Sequence, residues 1–459
     1  MGFLKMLGAA MIALSLTPVA HSATCRTHLH TDTYFEAGSL IIPMSTTYQG
    51  SGDMVRAYGL AWHLLRHGIR VAWIINTTKI AHDGKDFTIN GVAPVVQKLA
   101  RSGNYRAMTN IGGVNTTIDY SGAPMVIPSS DADAALQIIH QGVLHDNPGY
   151  RFGWGHNNAF NGVAVHRSNV GFMAPVHRIV DSPPKPLALL QTAGWLDANV
   201  LAAAGLDFPG AGGTTANHGL IYDQITEADI SNGELVLDTY KMLWVNGDGA
   251  SSLTLSTSYD KIGAYQASGG GVLASGNAIT ALECPTCTST QFLGTTGVVN
   301  LGGGHGSHQP PVQPGSPFTQ VDDLEYHGLA NEVKAFGPNS TYKACVTTLI
   351  VNGFNRALGA ILDDASSGLV FYVGGRNYDS GGAWHKKAMQ RTVINLLFLA
   401  ADIEQEEHPS IYELTRSTPL VIDADDGSEH LTFQGTYDWP NRVKGVYFNP
   451  SNVAAWNFP

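Results

Sequence analysis

The sequence predicts an α/β protein in which a mostly parallel sheet is flanked by helices. Short buried apolar runs alternate with segments of helical periodicity, which is the usual pattern of such sheets. Glycine, proline and small polar residues separate these segments. Hydrophobic residues make up 44% of the 459 residues and charged residues only 14%. The chain can therefore bury a large core beneath a surface rich in uncharged polar loops.

The first predicted unit covers residues 38–75. Residues 38–44 (GSLIIPM) form a buried apolar run, and residues 54–66 then place apolar side chains at helical spacing. Gly68 follows at the position of a helix C-cap, before a second apolar run at residues 71–75 (VAWII). Strand, helix and strand of this total length predict a βαβ unit with parallel strands.

Similar units recur along the chain. Further strands are predicted at residues 124–127, 186–190, 240–245, 269–276 and 369–373, with helices beginning at Asp131 and covering residues 195–204, 259–267 and 386–401. Residues 284–340 are dense in proline and glycine and predict a loop-rich insertion over one end of the sheet. The α/β domain is expected to end at residue 402, and residues 403–459 read as a short β-rich C-terminal appendage.

Residues 1–23 have the pattern of an export signal. Lys5 precedes an apolar run, and small residues permit cleavage after Ser22 or Ala23. The apolar run is short and is interrupted by Pro18, so it cannot serve as a stable membrane anchor. We therefore expect a secreted, periplasmic or cell-surface protein without a transmembrane anchor after signal cleavage.

The net charge of the chain limits which classes of binding partner are expected. The formal net charge is −11 at pH 7, and the chain contains no run of basic residues. Nucleic acids and anionic membrane surfaces require clustered Lys and Arg, so neither is expected as a partner. The expected partner is therefore an extracellular ligand or a cell-surface partner of unknown identity.

The four cysteines fit an oxidising compartment. Cys25, Cys284, Cys287 and Cys345 predict two disulfides, with three possible pairings. The Cys284–Cys287 spacing also matches a redox pair or half of a zinc site. A second such pair or a suitably spaced His pair is missing from the sequence, so no metal and no cofactor are expected.

Three glycine-rich segments together resemble a known family. Residues 269–278 (GGGVLASGNA) have the form of a strand leading into a tight elbow, and residues 240–249 (YKMLWVNGDG) lead into a polar loop. A later strand ends at residues 374–376 (GGR). Their order resembles the class I glutamine amidotransferase-like fold, a flavodoxin-like arrangement, over residues 36–402. The resemblance implies a nucleophile at the elbow and a catalytic histidine after the later strand.

This chain departs from the family at both positions. Aligned on the elbow, the nucleophile position falls on Gly276 and the histidine position on Arg376. Glycine cannot attack a carbonyl, and arginine stays protonated. The resemblance therefore implies a binding site rather than a catalytic one, with Asn246, Asp248, Gly276 and Arg376 as its ligand-binding residues.

The C-terminal appendage carries a second resemblance. Residues 415–421 (TRSTPLV) and 433–439 (FQGTYDW) resemble the opening of the β-propeller in type IV pilus tip adhesins. That resemblance implies a pilus-associated function at the cell surface.

Residues 66–70 (RHGIR) match the RHGxR signature of histidine acid phosphatases. There the histidine attacks phosphorus while the arginines hold phosphate oxygens. In this chain the motif follows an amphipathic helix rather than a strand. We therefore interpret His67 and its neighbours as basic residues at a helix C-terminus, where they lie near the negative end of the helix dipole.

Two further groups of histidines have spacings that suit chemistry. His28-Leu-His30-Thr-Asp32 has the HxHxD spacing of some metallohydrolases, but its place beside the expected start of the mature chain favours a structural role. His305 and His308 lie in the glycine-rich loop, from which one of them could meet Ser275.

The leading hypothesis is an exported, non-catalytic surface or extracellular binding or assembly protein. The alternative is a secreted hydrolase that uses Ser275 with His305 or His308, or an RHG-type phosphatase that uses His67. The sequence leaves open whether the protein is an enzyme.

Overall fold

A computed structural model describes most of residues 24–400. The residues within that span that it does not describe are 50–52, 92–94, 103–104, 114, 142–162, 182–184, 186, 192–221, 248–255, 277, 284–288, 295–311, 325–341, 352–356 and 375–382. The predicted signal peptide (1–23) and C-terminal appendage (403–459) lie outside the described residues, as do the predicted helix at 195–204 and the boundary at residue 402.

Seventeen strands are described, and ten of them form two antiparallel sheets. Their bounds are β1 Thr31–Phe35, β2 Leu40–Ile42, β3 Val71–Ile74, β4 Lys85–Asn90, β5 Val96–Ser102, β6 Tyr105–Ile111, β7 Thr117–Ser121, β8 Met125–Ile127, β9 His166–Ser168 and β10 Phe172–Val180. The first sheet has eight strands in the order β1-β10-β3-β8-β2-β9-β5-β6, and β4 and β7 pair as a separate ribbon. Every pairing in both is antiparallel.

The second large sheet combines both strand directions. Its strands are β11 Leu187–Gln191, β12 Tyr222–Ile225, β13 Met242–Gly247, β14 Gly271–Gly276, β15 Val346–Val351, β16 Ala357–Leu362 and β17 Val370–Val373. Their order is β12-β11-β13-β14-β17-β16-β15. The first five in that order run parallel, and β16 and β15 complete the sheet antiparallel.

Helices separate and cover the sheets. The described α-helices are α1 Asp53–Arg66, α2 Ser129–Gln141, α3 Glu227–Asn232, α4 Ser256–Ala267, α5 Ala278–Leu282 and α6 Ala383–Ala400, and a 3₁₀ turn covers Pro317–Thr319. No described helix has the length and apolar character needed to cross a bilayer.

The largest apolar core lies between the two sheets. It contains Trp73 of the first sheet, Trp244 and Phe371 of the second, and Leu60 and Phe398 from helices α1 and α6. Burying each of these side chains stabilises the fold by about 1.5–3 kcal/mol. Because one helix pair packs against both sheets, the sheets and helices share a single hydrophobic layer.

Each large sheet also covers a second core on its outer face. Alternate residues of β13 contribute, since Leu243 and Val245 face the outer core beneath α3, α4 and α5. On the first sheet the β4–β7 ribbon packs Phe87 and Tyr120 onto the outer face, where Phe87 stacks on Phe172 with ring centroids 5.2 Å apart. Neighbouring layers are thus joined by apolar contacts.

The expectation of a mostly parallel, flavodoxin-like or amidotransferase-like sheet flanked by helices is wrong. Ten of the fourteen described strand pairings are antiparallel, including every pairing of the eight-stranded sheet. The two strands of the predicted βαβ unit, β2 and β3, do run parallel, but they are not neighbours, because β8 lies between them and runs antiparallel to both. A strand buried on both faces has a continuous apolar run whichever way its neighbours run, so the pattern does not reveal direction.

The positions of individual elements were predicted better than their directions. The predicted helix at residues 54–66 is α1, and Gly68 has the positive φ of 77° expected of a C-cap glycine. The strand at 269–276 and the helix at 386–401 are also confirmed, within three residues at each end, as β14 and α6.

Candidate functional site

The strand-to-helix elbow is the first part of the candidate site. All six residues of β14 are buried, and the strand ends at Gly276 with φ 58°. Helix α5 begins at Ala278, so the chain reverses from strand to helix within two residues. A positive φ costs a glycine little, because it has no Cβ to meet the backbone. A sharp strand-to-helix turn of this kind carries the nucleophile in α/β-hydrolases, but here residue 276 has no side chain.

Two other predicted residues lie beside Gly276. In the parallel pairing of β13 and β14, Asn246 is opposite Ser275 and Gly247 is opposite Gly276. On the other side Ser275 is opposite Val373 of β17. Asn246, Ser275 and Gly276 therefore meet at the carboxyl ends of adjacent parallel strands, where ligands usually bind in parallel sheets. Asp248, His305, His308 and Arg376 lie outside the described residues.

Ser275 is fully buried. Its exposed fraction is 0%, and alternation along β14 places its side chain on the same face as Leu273. Leu273 belongs to the core between the sheets, whereas Ala274 belongs to the outer core with α5. The Ser275 hydroxyl thus faces the α1 and α6 layer, away from α5. A nucleophile must reach its substrate, and this side chain has no solvent-exposed surface.

The RHGIR motif forms the end of α1. His67 follows the last residue of the helix, and its Nδ1–H donates to the His63 carbonyl oxygen at 3.0 Å. Arg70 forms an ion pair with Asp131, with Nε 2.9 Å from Oδ2 and an amino nitrogen 3.3 Å from Oδ1. A carboxylate therefore holds the second arginine of the motif, where a phosphatase would hold a phosphate oxygen.

The HxHxD residues join the two sheets. His28 donates from Nε2 to Oδ2 of Asp363 at 2.5 Å, and Arg26 contacts the other carboxylate oxygen at 3.0 Å. His30 accepts at Nδ1 from the Thr77 backbone N–H at 3.2 Å. Among the described residues, no group of three or more His, Cys, Asp or Glu is arranged to hold a metal ion. These contacts tie the N-terminal segment to both sheets.

One disulfide is present among the described residues. Of the partners that the sequence left open, the structure joins Cys25 to Cys345, 320 positions apart in the chain. Cys345 immediately precedes β15 of the second sheet, and Cys25 lies six residues before β1 of the first. Cys284 and Cys287 lie outside the described residues.

The sequence did not reveal a buried polar group on α6. Arg391 is fully buried and donates to the backbone oxygens of Met44 at 2.8 Å and Gly122 at 2.6 Å. One turn later, Asn395 accepts from the Tyr58 hydroxyl at 2.5 Å. Their spacing of four residues, which places both on one face of the helix, was the available signal. Arg391 and Asn395 bind loops and helix α1 to α6.

Asp322 extends this polar group into the predicted insertion. Its carboxylate accepts from the Thr46 backbone N–H at 2.8 Å and from the Ser121 hydroxyl at 2.6 Å. The described part of the insertion, residues 312–324, therefore lies against the loops that follow β2 and β7. The Asp322 carboxylate thus joins the segments that contain Thr46 and Ser121. Each of its oxygens accepts a hydrogen bond from the fold itself.

A second buried group lies on the outer face of the first sheet. His166 of β9 is fully buried, and its Nδ1 is 2.9 Å from the Tyr120 hydroxyl. Burial, with a smaller contribution from the charge of Lys98, lowers the pKa of His166 to about 3. Nearby, Lys79 and Asp86 form a buried ion pair with Nζ 3.0 Å from Oδ1. Burial raises the pKa of Asp86 against the opposing effect of Lys79.

Comparisons with known proteins give structural likeness only. No protein-family model and no curated protein sequence matches the chain. A ThuA-like protein from Bacteroides uniformis is similar at 15% identity over 47% of this chain and 89% of its own, with a TM-score of 0.29. A ThuA-like protein from Parabacteroides merdae is similar at 16% identity over 50% of this chain and 93% of its own, also with a TM-score of 0.29.

ThuA-like proteins have a class I glutamine amidotransferase-like fold. Because both TM-scores lie below 0.5, the likeness supports no conclusion about the fold or the activity of this chain.

Proposed function

We propose that this chain is an exported, non-catalytic binding or assembly protein that acts at the cell surface or outside the cell. One observation supports this most directly: Gly276, with no side chain, occupies the elbow where the related fold would carry its nucleophile. The adjacent hydroxyl of Ser275 is fully buried and faces the core between the sheets. The export signal, the disulfide and the low content of charged residues support the extracellular setting.

The elbow retains backbone features that suit binding. At the carboxyl ends of β13 and β14, the paired residues Asn246 and Ser275 are followed by the paired glycines 247 and 276. Glycine at both positions places no side chain at this end of the two strands. This arrangement favours binding of a ligand at the carboxyl ends of β13 and β14 over covalent chemistry on that ligand.

The alternative is a secreted hydrolase, and a substrate panel separates the two. Purified residues 24–459 are assayed against ester, amide and phosphomonoester substrates, beside the variants Ser275→Ala and His67→Ala. The proposal predicts no turnover above the buffer rate for any of the three proteins. Turnover that disappears in Ser275→Ala would establish a serine hydrolase, and turnover that disappears in His67→Ala would establish a phosphatase.

A further inference from the structure

Residues 24–30 form a strap that is fixed to a different sheet at each end. At its start, the disulfide of Cys25 and the ion pair of Arg26 with Asp363 attach it to the second sheet. At its other end the chain enters β1 of the first sheet. Between these fixed points, each polar contact that residues 28–30 make with the described part of the chain involves a histidine ring.

His177 of β10 contacts the middle of the strap. Its Nδ1–H donates to the Leu29 carbonyl oxygen at 3.0 Å, so the neutral ring carries its proton on Nδ1 and a lone pair on Nε2. The Nε2 atom is buried and has no hydrogen-bond partner among the described residues. A proton on Nε2 would create a buried charge without an acceptor, close to the His28 ring, whose centroid is 5.5 Å away.

His30 also holds the strap in its neutral form. Its Nδ1 accepts from the Thr77 backbone N–H at 3.2 Å, and a proton on Nδ1 would break that bond. His28 differs, because its Nε2 donates to the Asp363 carboxylate, which accepts from the neutral and from the charged ring. The contacts of His177 and His30 therefore need an unprotonated nitrogen, whereas the contact of His28 does not.

The surroundings of His177 oppose its protonation while the strap is in place. Burial lowers its pKa to about 4, against the opposing effect of its hydrogen bond to the strap carbonyl. Three charged or titratable groups lower the pKa further: His28 and His30 of the strap, and Arg178 of the same strand. From β3 the ring faces Trp73, which carries no charge. Without the strap, the imidazole would titrate nearer the ordinary value of 6.5.

We propose that the middle of the strap, residues 27–30, detaches from the sheets in acid, when His177 and His30 take up protons. The disulfide keeps the start of the strap attached, so the opening is local. Opening removes the His28 ring from Phe318, a buried residue that it meets edge-on with ring centroids 5.1 Å apart. This inference goes beyond the proposed function, because it holds whether the protein binds a ligand or hydrolyses one.

The direction of the pH effect follows from proton linkage. Below pH 6.5 the open form binds a proton at His177 that the closed form does not bind until the pH approaches 4. The contribution of the neutral imidazole to the closed strap is therefore complete above pH 6.5 and is lost as the pH falls toward 4. Between these values the equilibrium constant for opening should rise by up to about tenfold per pH unit.

Hydrogen exchange of single backbone amides tests the proposal on purified residues 24–459. The Thr77 amide reports opening of the strap, because its acceptor is His30. The Ile74 amide, which donates to the Pro124 carbonyl at 2.9 Å, reports opening of the sheet. Mass spectrometry with electron-transfer fragmentation gives each rate, and division by the intrinsic rate at that pH gives a protection factor. We expect Thr77 to be less protected than Ile74, and its protection to fall by about tenfold per unit between pH 6 and pH 4.5.

A pair of matched variants identifies the responsible histidine. His177→Asn keeps a donor for the Leu29 carbonyl but does not titrate, so the pH dependence of Thr77 protection should become clearly shallower. His67→Asn, the same change at an exposed histidine, should retain the wild-type dependence. Equal dependence in wild type and His177→Asn would overturn the proposal. Equal protection of Thr77 and Ile74 in the wild-type protein would also overturn it, and that comparison needs no variant to fold.

Discussion

At the scale of single residues, the buried polar side chains hold this molecule together more than they prepare it for chemistry. Arg391, Asp322 and His166 are all buried, and each contacts groups from a different segment of the chain. A buried polar group without a partner costs about 1–3 kcal/mol, so these contacts also specify which segments pack together. Their partners are backbone groups and hydroxyls of the fold itself.

His166 makes stability depend on pH. Burial holds its folded pKa at about 3, below the ordinary 6.5, so below pH 6.5 the unfolded chain takes up a proton that the folded chain does not. The stability that the neutral imidazole contributes is therefore present above pH 6.5 and is lost as the pH falls toward 3. We expect the free energy of unfolding to fall by about 1.4 kcal/mol per pH unit from this group.

Urea unfolding of wild type and His166→Gln between pH 7 and pH 4 measures that slope. Glutamine can keep a hydrogen bond to Tyr120 but does not titrate, so the variant should show a shallower loss of stability. His67→Gln, at an exposed histidine, should retain the wild-type slope. Equal slopes for wild type and His166→Gln would show that His166 is not the responsible group.

At the scale of elements, the elbow between β14 and α5 depends on one glycine. Its φ of 58° is left-handed, a conformation that costs other residues about 1–2 kcal/mol and β-branched residues more. Asparagine tolerates this region better than most residues, because its side chain bonds locally to the backbone. The identity of residue 276 should therefore set the stability of the whole turn.

A substitution series at position 276 tests that dependence. We expect Gly276→Asn to lower the free energy of unfolding least, Gly276→Ala by about 1–2 kcal/mol, and Gly276→Val most. Urea denaturation gives the order, with Ser275→Ala as a variant that leaves the backbone requirement unchanged. If valine is tolerated as well as asparagine, the elbow does not have the left-handed geometry described above.

The sequence predicted some of the helices and strands and missed others. Helices α1 and α6 were predicted because apolar side chains recur at helical spacing, and β14 because glycines bound an apolar run. Strands β5 and β6 were missed, although alternating residues flank Gly103 and Asn104, a pair typical of hairpin turns. Asn246, Ser275 and Gly276 lie at the carboxyl ends of β13 and β14, and their role as ligand-binding or catalytic residues stays a prediction.

At the scale of the whole molecule, the fold is two large sheets around a shared helix layer. The sequence could not reveal this, because strand direction depends on which distant segments pair. β10 illustrates the difficulty, since it lies between β1 and β3 although about 100 residues or more separate it from either. Such pairings follow from global packing and leave no local pattern.

The N-terminal segment joins the two sheets covalently and by hydrogen bonds. Cys25 is bonded to Cys345, and the Ala365 backbone N–H donates to the carbonyl of Thr24 at 2.8 Å. The Arg26 backbone N–H donates to Asp363 at 3.0 Å. The segment then enters β1 of the first sheet, so residues 24–30 span from one sheet to the other.

Removing this disulfide should cost considerable stability. A cross-link between positions 320 residues apart restricts the unfolded chain strongly, and the chain-entropy model assigns about 6 kcal/mol to such a loop. We expect the double variant Cys25→Ser, Cys345→Ser to unfold at lower guanidinium concentration, with a loss of about 3–5 kcal/mol. Wild type measured with reductant should approach the variant, and an unchanged midpoint would contradict the assigned pairing.

The central claim is that the elbow site binds without covalent catalysis, and active-site labelling tests it most directly. Purified residues 24–459 are incubated with a fluorophosphonate, which phosphonylates activated serines with loss of fluoride, and the mass increase is measured by intact mass spectrometry. Because Ser275 is fully buried and Gly276 has no side chain, we predict no mass increase. Stoichiometric labelling that maps to Ser275 and disappears in Ser275→Ala would contradict the claim and establish a hydrolase.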